Sequence, residues 1–144
     1  MITTALILDQ IRQHGEDTYP EECCGFLLGT ADEDNQATAL HQVPNRQEDR
    51  RTHRYTITPA DYRNADEAAR AKGLDIVGMY HSHPDHPAQP SATDLAEATF
   101  PGYTYIIVSV TSGTATDLTA WTLAPDRSAF LKESITVEAS AAAR

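Results

Sequence analysis

Apolar and polar positions follow two different periods along this chain. Ala5, Leu6, Ile7, Leu8 and Ile11 fall among polar residues over positions 3–14 as one face of a helix does, and Gly15 marks its expected end. Positions 25–30 form an apolar run of the length of a buried strand. The polar tract 31–36 then turns the chain, and positions 38–43 alternate into a second strand. A short third strand is expected over Arg54-Tyr55-Thr56-Ile57. Pro59 in the first turn, followed by the Ala-, Arg- and Glu-rich stretch 61–72, predicts a second helix that Gly73 stops. The β-prone run Ile76-Val77-Gly78-Met79-Tyr80 predicts a strand over 75–83, and Ser91 opens a helix to about Thr99. Pro101-Gly102 breaks the chain, and 103–110 and 116–123 read as a hairpin about Ser112-Gly113. Helices packed on a mixed, mostly antiparallel sheet give an α/β layer arrangement. The pattern predicts one domain over residues 1–138 and a small, polar, disordered tail over 139–144.

Composition narrows the function. At 144 residues the chain is long enough for one real core and too short for a second module. The first residues carry no basic segment and Asp9 cuts their apolar run, so no signal peptide is expected; nothing approaches a membrane span. A cytoplasmic protein is the expectation. Net charge is −10, with 21 acidic residues and only two lysines, Lys72 and Lys132, which argues against nucleic acid as a partner. Such acidity with so little lysine also hints at a salt-rich interior, where repulsion is screened. The one basic cluster, Arg46, Arg50, Arg51 and Arg54, is interrupted by Glu48 and Asp49, as in a solvated loop; the alternative is a patch that meets acidic groups of a protein substrate. Cys23 and Cys24 are adjacent, where a disulfide would be strained, so both are expected as free thiols packed like small apolar side chains.

The chemistry concentrates in His81-Ser82-His83, followed after seven residues by Ser91-Ala92-Thr93-Asp94. Two histidines two apart at the end of a strand point to one side of it. The proline-rich segment from Pro84 to Pro90 turns the chain back, and Asp94 lies one turn inside the helix that Ser91 opens. Two imidazoles, a carboxylate and an open fourth position are the donor set of a hydrolytic zinc site. Ser91-x-x-Asp94 reads equally as a capping box, and His86 reads as an ordinary surface histidine.

A second segment, Pro20-Glu21-Glu22-Cys23-Cys24-Gly25-Phe26-Leu27-Leu28-Gly29, sets two carboxylates before an apolar strand. With the His-x-His and Ser-x-x-Asp signature, this segment resembles the JAMM (MPN+) zinc metallopeptidase family in its compact bacterial type. The likeness runs from the first helix to the strand ending near Trp121. It implies the MPN/JAB fold. It also implies zinc held by His81, His83 and Asp94, Glu22 as general acid/base, and Ser91 as the oxyanion-stabilising residue. Glu22 is chosen over Glu21, a solvated neighbour, because the family glutamate stands two residues before the Cys of Cys-Gly, here Cys24-Gly25. The resemblance further implies hydrolysis of the bond after the C-terminal Gly-Gly of a ubiquitin-like sulfur-carrier protein. The connection from Asp94 to Tyr103 is too short for the insertions with which larger deubiquitinases clamp polyubiquitin, which makes generic deubiquitination the less favoured substrate class. A non-catalytic MPN scaffold would have lost ligands that are present here. A RadC-like protein shares the His-x-His-Pro pattern and lacks the Glu-x-Cys-Gly segment, and a cysteine protease leaves the Glu, Ser and Asp residues unexplained.

Overall fold

The structure, a computed structural model, describes residues 1–139. The chain starts with β1 (Ile2–Thr4) and turns at once into α1 (Ala5–Thr18). Then follow β2 (Cys24–Ala31), β3 (Asn35–Val43), α2 (Pro59–Ala71), β4 (Asp75–Pro84), α3 (Ala92–Glu97), β5 (Thr104–Thr111), β6 (Thr114–Leu123), β7 (Phe130–Glu133) and β8 (Thr136–Glu138). All eight strands join one mixed sheet in the order β7-β6-β5-β4-β2-β3-β1-β8. The longest β2 and β6 ladders are antiparallel, while β4 with β5 and β1 with both its neighbours are parallel. Among the described residues no helix is long and apolar enough to cross a membrane.

Each face of the sheet buries its own helix. Ile7 and Ile11 of α1 pack on Leu27, Val77, Tyr80, Ile106 and Val108. On the other face Ala65 and Ala69 of α2 pack on Cys24, Phe26 and Leu28, with Tyr55, Tyr62 and Met79 beside them. Both helices therefore stand where the sequence predicts them, the first from its apolar spacing and the second from Pro59 and its composition, and several of their boundaries differ. Residues 2–4, expected to begin the first helix, form β1, and Thr4 is the N-cap that accepts the Ile7 N–H. Gly15 does not stop α1. It is the contact point with the sheet, where a Cβ would come within 3.0 Å of Val110 Cγ2. The helix runs on to Thr18, and Pro20 disfavours helical backbone at Tyr19.

Residues 54–57 form no strand: the Thr56 N–H is taken by the Asn45 side chain, so only its carbonyl bonds to backbone, at the Arg46 N–H. The third helix ends at Glu97, two residues earlier than expected. The edge strands β7 and β8 carry exposed Leu131 and Val137 and gave no apolar alternation to read. The expected disordered tail lies, from residue 140 on, outside the described residues.

One irregularity aims the histidines. Across the β2–β4 pair Leu27 faces Gly78 and Leu28 faces Ile76, which leaves Val77 as an extra residue, a β-bulge. Facing residues share a side, so the bulge resets the alternation. Met79 falls on the α2 side, Tyr80 on the α1 side, and His81, opposite Cys24, returns to the α2 side.

Candidate metal centre

His81 and His83 sit at the C-terminal end of β4, an inner strand, and Asp94 reaches them from the first turn of α3. His81 Nε2 lies 3.2 Å from Asp94 Oδ1, His83 Nε2 lies 3.1 Å from Asp94 Oδ2, and the two Nε2 atoms are 3.0 Å apart. In tetrahedral zinc sites, with bonds of about 2.0–2.1 Å, neighbouring donors stand roughly 3.3 Å from one another. Two imidazole nitrogens and a carboxylate oxygen, already converging to within a few tenths of that spacing, fit such an ion.

The surrounding bonds fix how the donors point. His83 Nδ1 donates to the Pro87 carbonyl at 2.8 Å, which leaves Nε2 as the free electron pair facing Asp94. The segment carrying that carbonyl is pinned along its length. Ser109 Oγ donates to His86 O, Thr119 Oγ1 to Ala88 O, and Asp85 accepts from the Ser112 N–H and the Tyr19 hydroxyl. His81 is stacked on Tyr55, with ring centroids 4.6 Å apart.

Burial and the shared carboxylate act differently on the three donors. Burial pulls the His81 pKa down against the attraction of Asp94 and favours the neutral imidazole. Burial opposes the charge of His83 too, but its bonds to Asp94 and the Pro87 carbonyl outweigh that and raise it. Burial would push Asp94 upward; the bonds from both histidines prevail and hold its carboxyl well below the usual range.

Glu22 lines the same cavity, of about 480 Å³, as His83, Ser91 and Asp94, while His81 opens on an adjoining cavity of about 460 Å³. Its residue is only 6% exposed, and burial pushes the carboxyl up to about 8, with His83 opposing and Asp94 and Glu97 adding to the rise. The backbone around it is clamped. Its N–H donates to Arg51 O at 2.7 Å and its carbonyl accepts from Asn45 Nδ2 at 3.2 Å. Next to it, the Cys23 N–H donates to Ser82 Oγ, between the two histidines in sequence, at 2.8 Å. Gly25 is required one step further on, because a Cβ there would lie 2.5 Å from the Tyr80 ring. Glu21 is half-exposed beside Arg51.

Ser91 is the N-cap of α3. Its Oγ accepts the Asp94 N–H at 3.0 Å while Asp94 Oδ2 accepts the Ser91 N–H at 2.8 Å. The capping-box reading of Ser91-x-x-Asp94 holds, and the box that starts the helix also orients the carboxylate toward the histidines. Both cysteines are buried with free thiols pushed up to about 12, chiefly by burial, which removes the thiolate a cysteine protease needs. The residues that spacing did not reveal are Tyr55, Pro87, Asn45 and Arg51. Two of them act through backbone carbonyls, which no side-chain motif records.

A mixed sheet carrying this constellation at the end of an inner strand makes the chain a hydrolase, a peptidase of the JAMM type. Residues 4–124 match the family described as prokaryotic homologues of the JAB domain, and the chain belongs to that family. It is 40% identical over 103 residues to the desampylase of Haloferax volcanii, a match covering 72% of this chain and 73% of that protein. To the CysO-cysteine peptidase of Mycobacterium tuberculosis it is 27% identical over 109 residues, 76% of this chain and 73% of that one. The solution structure of a Salinibacter ruber protein, 64% identical, superposes with a TM-score of 0.78 over 96% of this chain and 92% of that one.

Proposed function

We propose that this protein is a zinc-dependent isopeptidase that hydrolyses the bond after the C-terminal Gly-Gly of a ubiquitin-like sulfur-carrier protein. His81, His83 and Asp94 are the zinc ligands, Glu22 the general acid/base and Ser91 the oxyanion-stabilising residue. The observation that carries the reading is the buried Glu22 carboxyl in one cavity with His83, Ser91 and Asp94. The names of the two relatives support the substrate class: a desampylase, and a peptidase acting on CysO-cysteine.

A zinc ion, when bound, supplies Lewis-acid chemistry: it polarises the scissile carbonyl and brings the pKa of water to about 7. The remaining steps belong to the protein. Glu22 accepts a proton from the attacking water and later hands it to the departing amine, the two halves of one general acid/base role. The Ser91 hydroxyl, whose oxygen accepts the Asp94 N–H, keeps its own proton available for an oxyanion at the cavity mouth. A tail ending in two glycines lets its backbone come close to the site without a Cβ in the way.

The test is cleavage of a ubiquitin-like sulfur carrier that bears a C-terminal extension, with the products weighed by mass spectrometry. Cutting after Gly-Gly, abolished by a chelator and by Glu22→Gln with fold and metal content retained, is the expected result. Full activity in Glu22→Gln, or equal rates when bulky residues replace the glycines, overturns the assignment of base or of substrate respectively.

A further inference from the structure

We infer that Arg54, with His53 and His86 beside it, forms a subsite for the free α-carboxylate of the amino acid or short peptide that leaves. The inference deepens the hydrolysis proposed above and rests on it for the identity of the leaving group.

The basic cluster between β3 and α2 divides by what its members touch. Arg46 is occupied by Asp61, donating from Nε and Nη2 to the two carboxylate oxygens at 3.2 and 3.0 Å. Arg51 donates from Nε to the Gln47 carbonyl at 2.6 Å and stands 4.0 Å from Glu21. Arg50 is exposed and does not line the cavity. Arg54 differs from all three. It lines the cavity that holds Glu22, Ser91 and Asp94, and among the described residues it makes no ion pair.

Arg54 is also the single lysine or arginine in the lining of that cavity. Of the three carboxylates that also line it, Asp94 is bonded by His81 and His83 and Glu22 is buried, while Glu97 is exposed and makes no ion pair among the described residues, so a bound anion competes with Glu97 alone for Arg54. In a chain of net charge −10, anions are repelled at long range, so an arginine that lines the reaction cavity and makes no ion pair among the described residues is a local exception. Its planar fork matches a carboxylate, and the His53 and His86 rings, whose centroids are 6.1 Å apart on the same wall, add N–H donors.

The chemistry of the leaving group supplies such an anion. Hydrolysis frees an amine where Glu22 delivers its proton, and in an α-amino acid the carboxylate is attached to the carbon that bears that amine. A short peptide carries it a few atoms further along the same cavity. Arg54 itself is held in place through its backbone, because its carbonyl accepts from Asn45, the residue that also bonds the Glu22 carbonyl. Its side chain is thereby free to be exchanged without loosening Glu22.

The experiment compares two substrates that differ only at the end: a carrier protein extended past Gly-Gly by one residue with a free carboxylate, and the same protein ending in a carboxamide. The zinc-loaded wild type should favour the carboxylate about 10-fold or more in kcat/KM, mostly through KM, as expected for one charge-assisted contact. In Arg54→Met that ratio should fall toward one, and Arg54→Lys should give an intermediate value. A ratio near one in the wild type, or an unchanged ratio in Arg54→Met, overturns the subsite. In parallel, metal-free wild type is titrated with alanylglycine and with alanylglycinamide while the Arg54 Nε–H and the His53 and His86 ring signals are followed by NMR. Saturable shifts with the first and not the second support the subsite; equal responses overturn it. Failure to cut either substrate sinks the Gly-Gly reading, and the titration then decides the carboxylate site by itself.

Discussion

The Glu22 carboxyl should make the metal-free protein less stable as pH rises, and Glu22→Gln should remove that effect. In the folded chain burial lifts this group from its ordinary 4.5 to about 8. Between those values the folded state holds a proton that the unfolded state has lost, so stability falls with rising pH and levels off above the folded value. At about 1.36 kcal/mol per pH unit the full displacement amounts to roughly 5 kcal/mol, a ceiling because Glu22 borders a cavity that water can enter. Even about 2 kcal/mol of that ceiling moves the thermal midpoint of a chain this size by roughly 8 °C. The assay is thermal or urea unfolding of metal-free wild type and Glu22→Gln from pH 5 to pH 9. The variant should gain on the wild type steadily up to about pH 8, and the gain should shrink when zinc is added, since a nearby divalent cation favours the ionised carboxylate. Parallel stability curves across the range would refute the argument, because they would mean that Glu22 ionises in the folded protein as it does in water.

His81→Ala and Asp94→Ala should each lower zinc content, measured by elemental analysis after dialysis, from one ion per chain; retained stoichiometry would remove those residues from the ligand set. Ser91→Ala should cost about 1 kcal/mol through the lost cap and reduce turnover on the order of 10², whereas a stability loss with unchanged turnover would leave Ser91 a cap alone. Raising salt from about 0.1 to 1 M should raise the thermal midpoint by screening repulsion among the acidic residues, and a flat response would dismiss the compositional hint of a salt-rich interior.

What could be read in the sequence divides along a physical line. Side-chain identity at fixed local spacing carried the His-x-His pair, the capping-box aspartate and the Glu-x-Cys-Gly segment, because each depends on residues within one turn or one strand of each other. The second helix was legible for the same reason, with Thr58 capping it and Asp61 closing the box. Features that depend on distant partners were hidden. Tyr55 lies in a segment with a strand-like composition, yet Asn45 takes the hydrogen bond a ladder would need and the ring is used to stack on His81. Gly15 reads as a helix stop from its neighbours and is a contact point because β5 passes beneath it. The edge strands β7 and β8 are too short and too exposed to leave a pattern.

The histidine pair itself shows how far local reading goes. Strand periodicity says correctly that His81 and His83 share a side, and it says nothing reliable about which side. Val77 packs against α1, and strict alternation from it through Met79 would carry both imidazoles to the α1 face, away from Asp94 and Glu22. The bulge at Val77 supplies the missing half-step, so Met79 packs with Phe26 on the α2 side and the histidines follow. Gly78, next to the bulge, could not be anything larger, since a Cβ there would stand 2.0 Å from the Thr104 carbonyl of the parallel neighbour. The histidine–aspartate cluster therefore depends on one inserted residue, four positions before His81, and one glycine, three positions before it. Neither bears any chemistry of its own, and both are set by the pairing of β4 with two other strands.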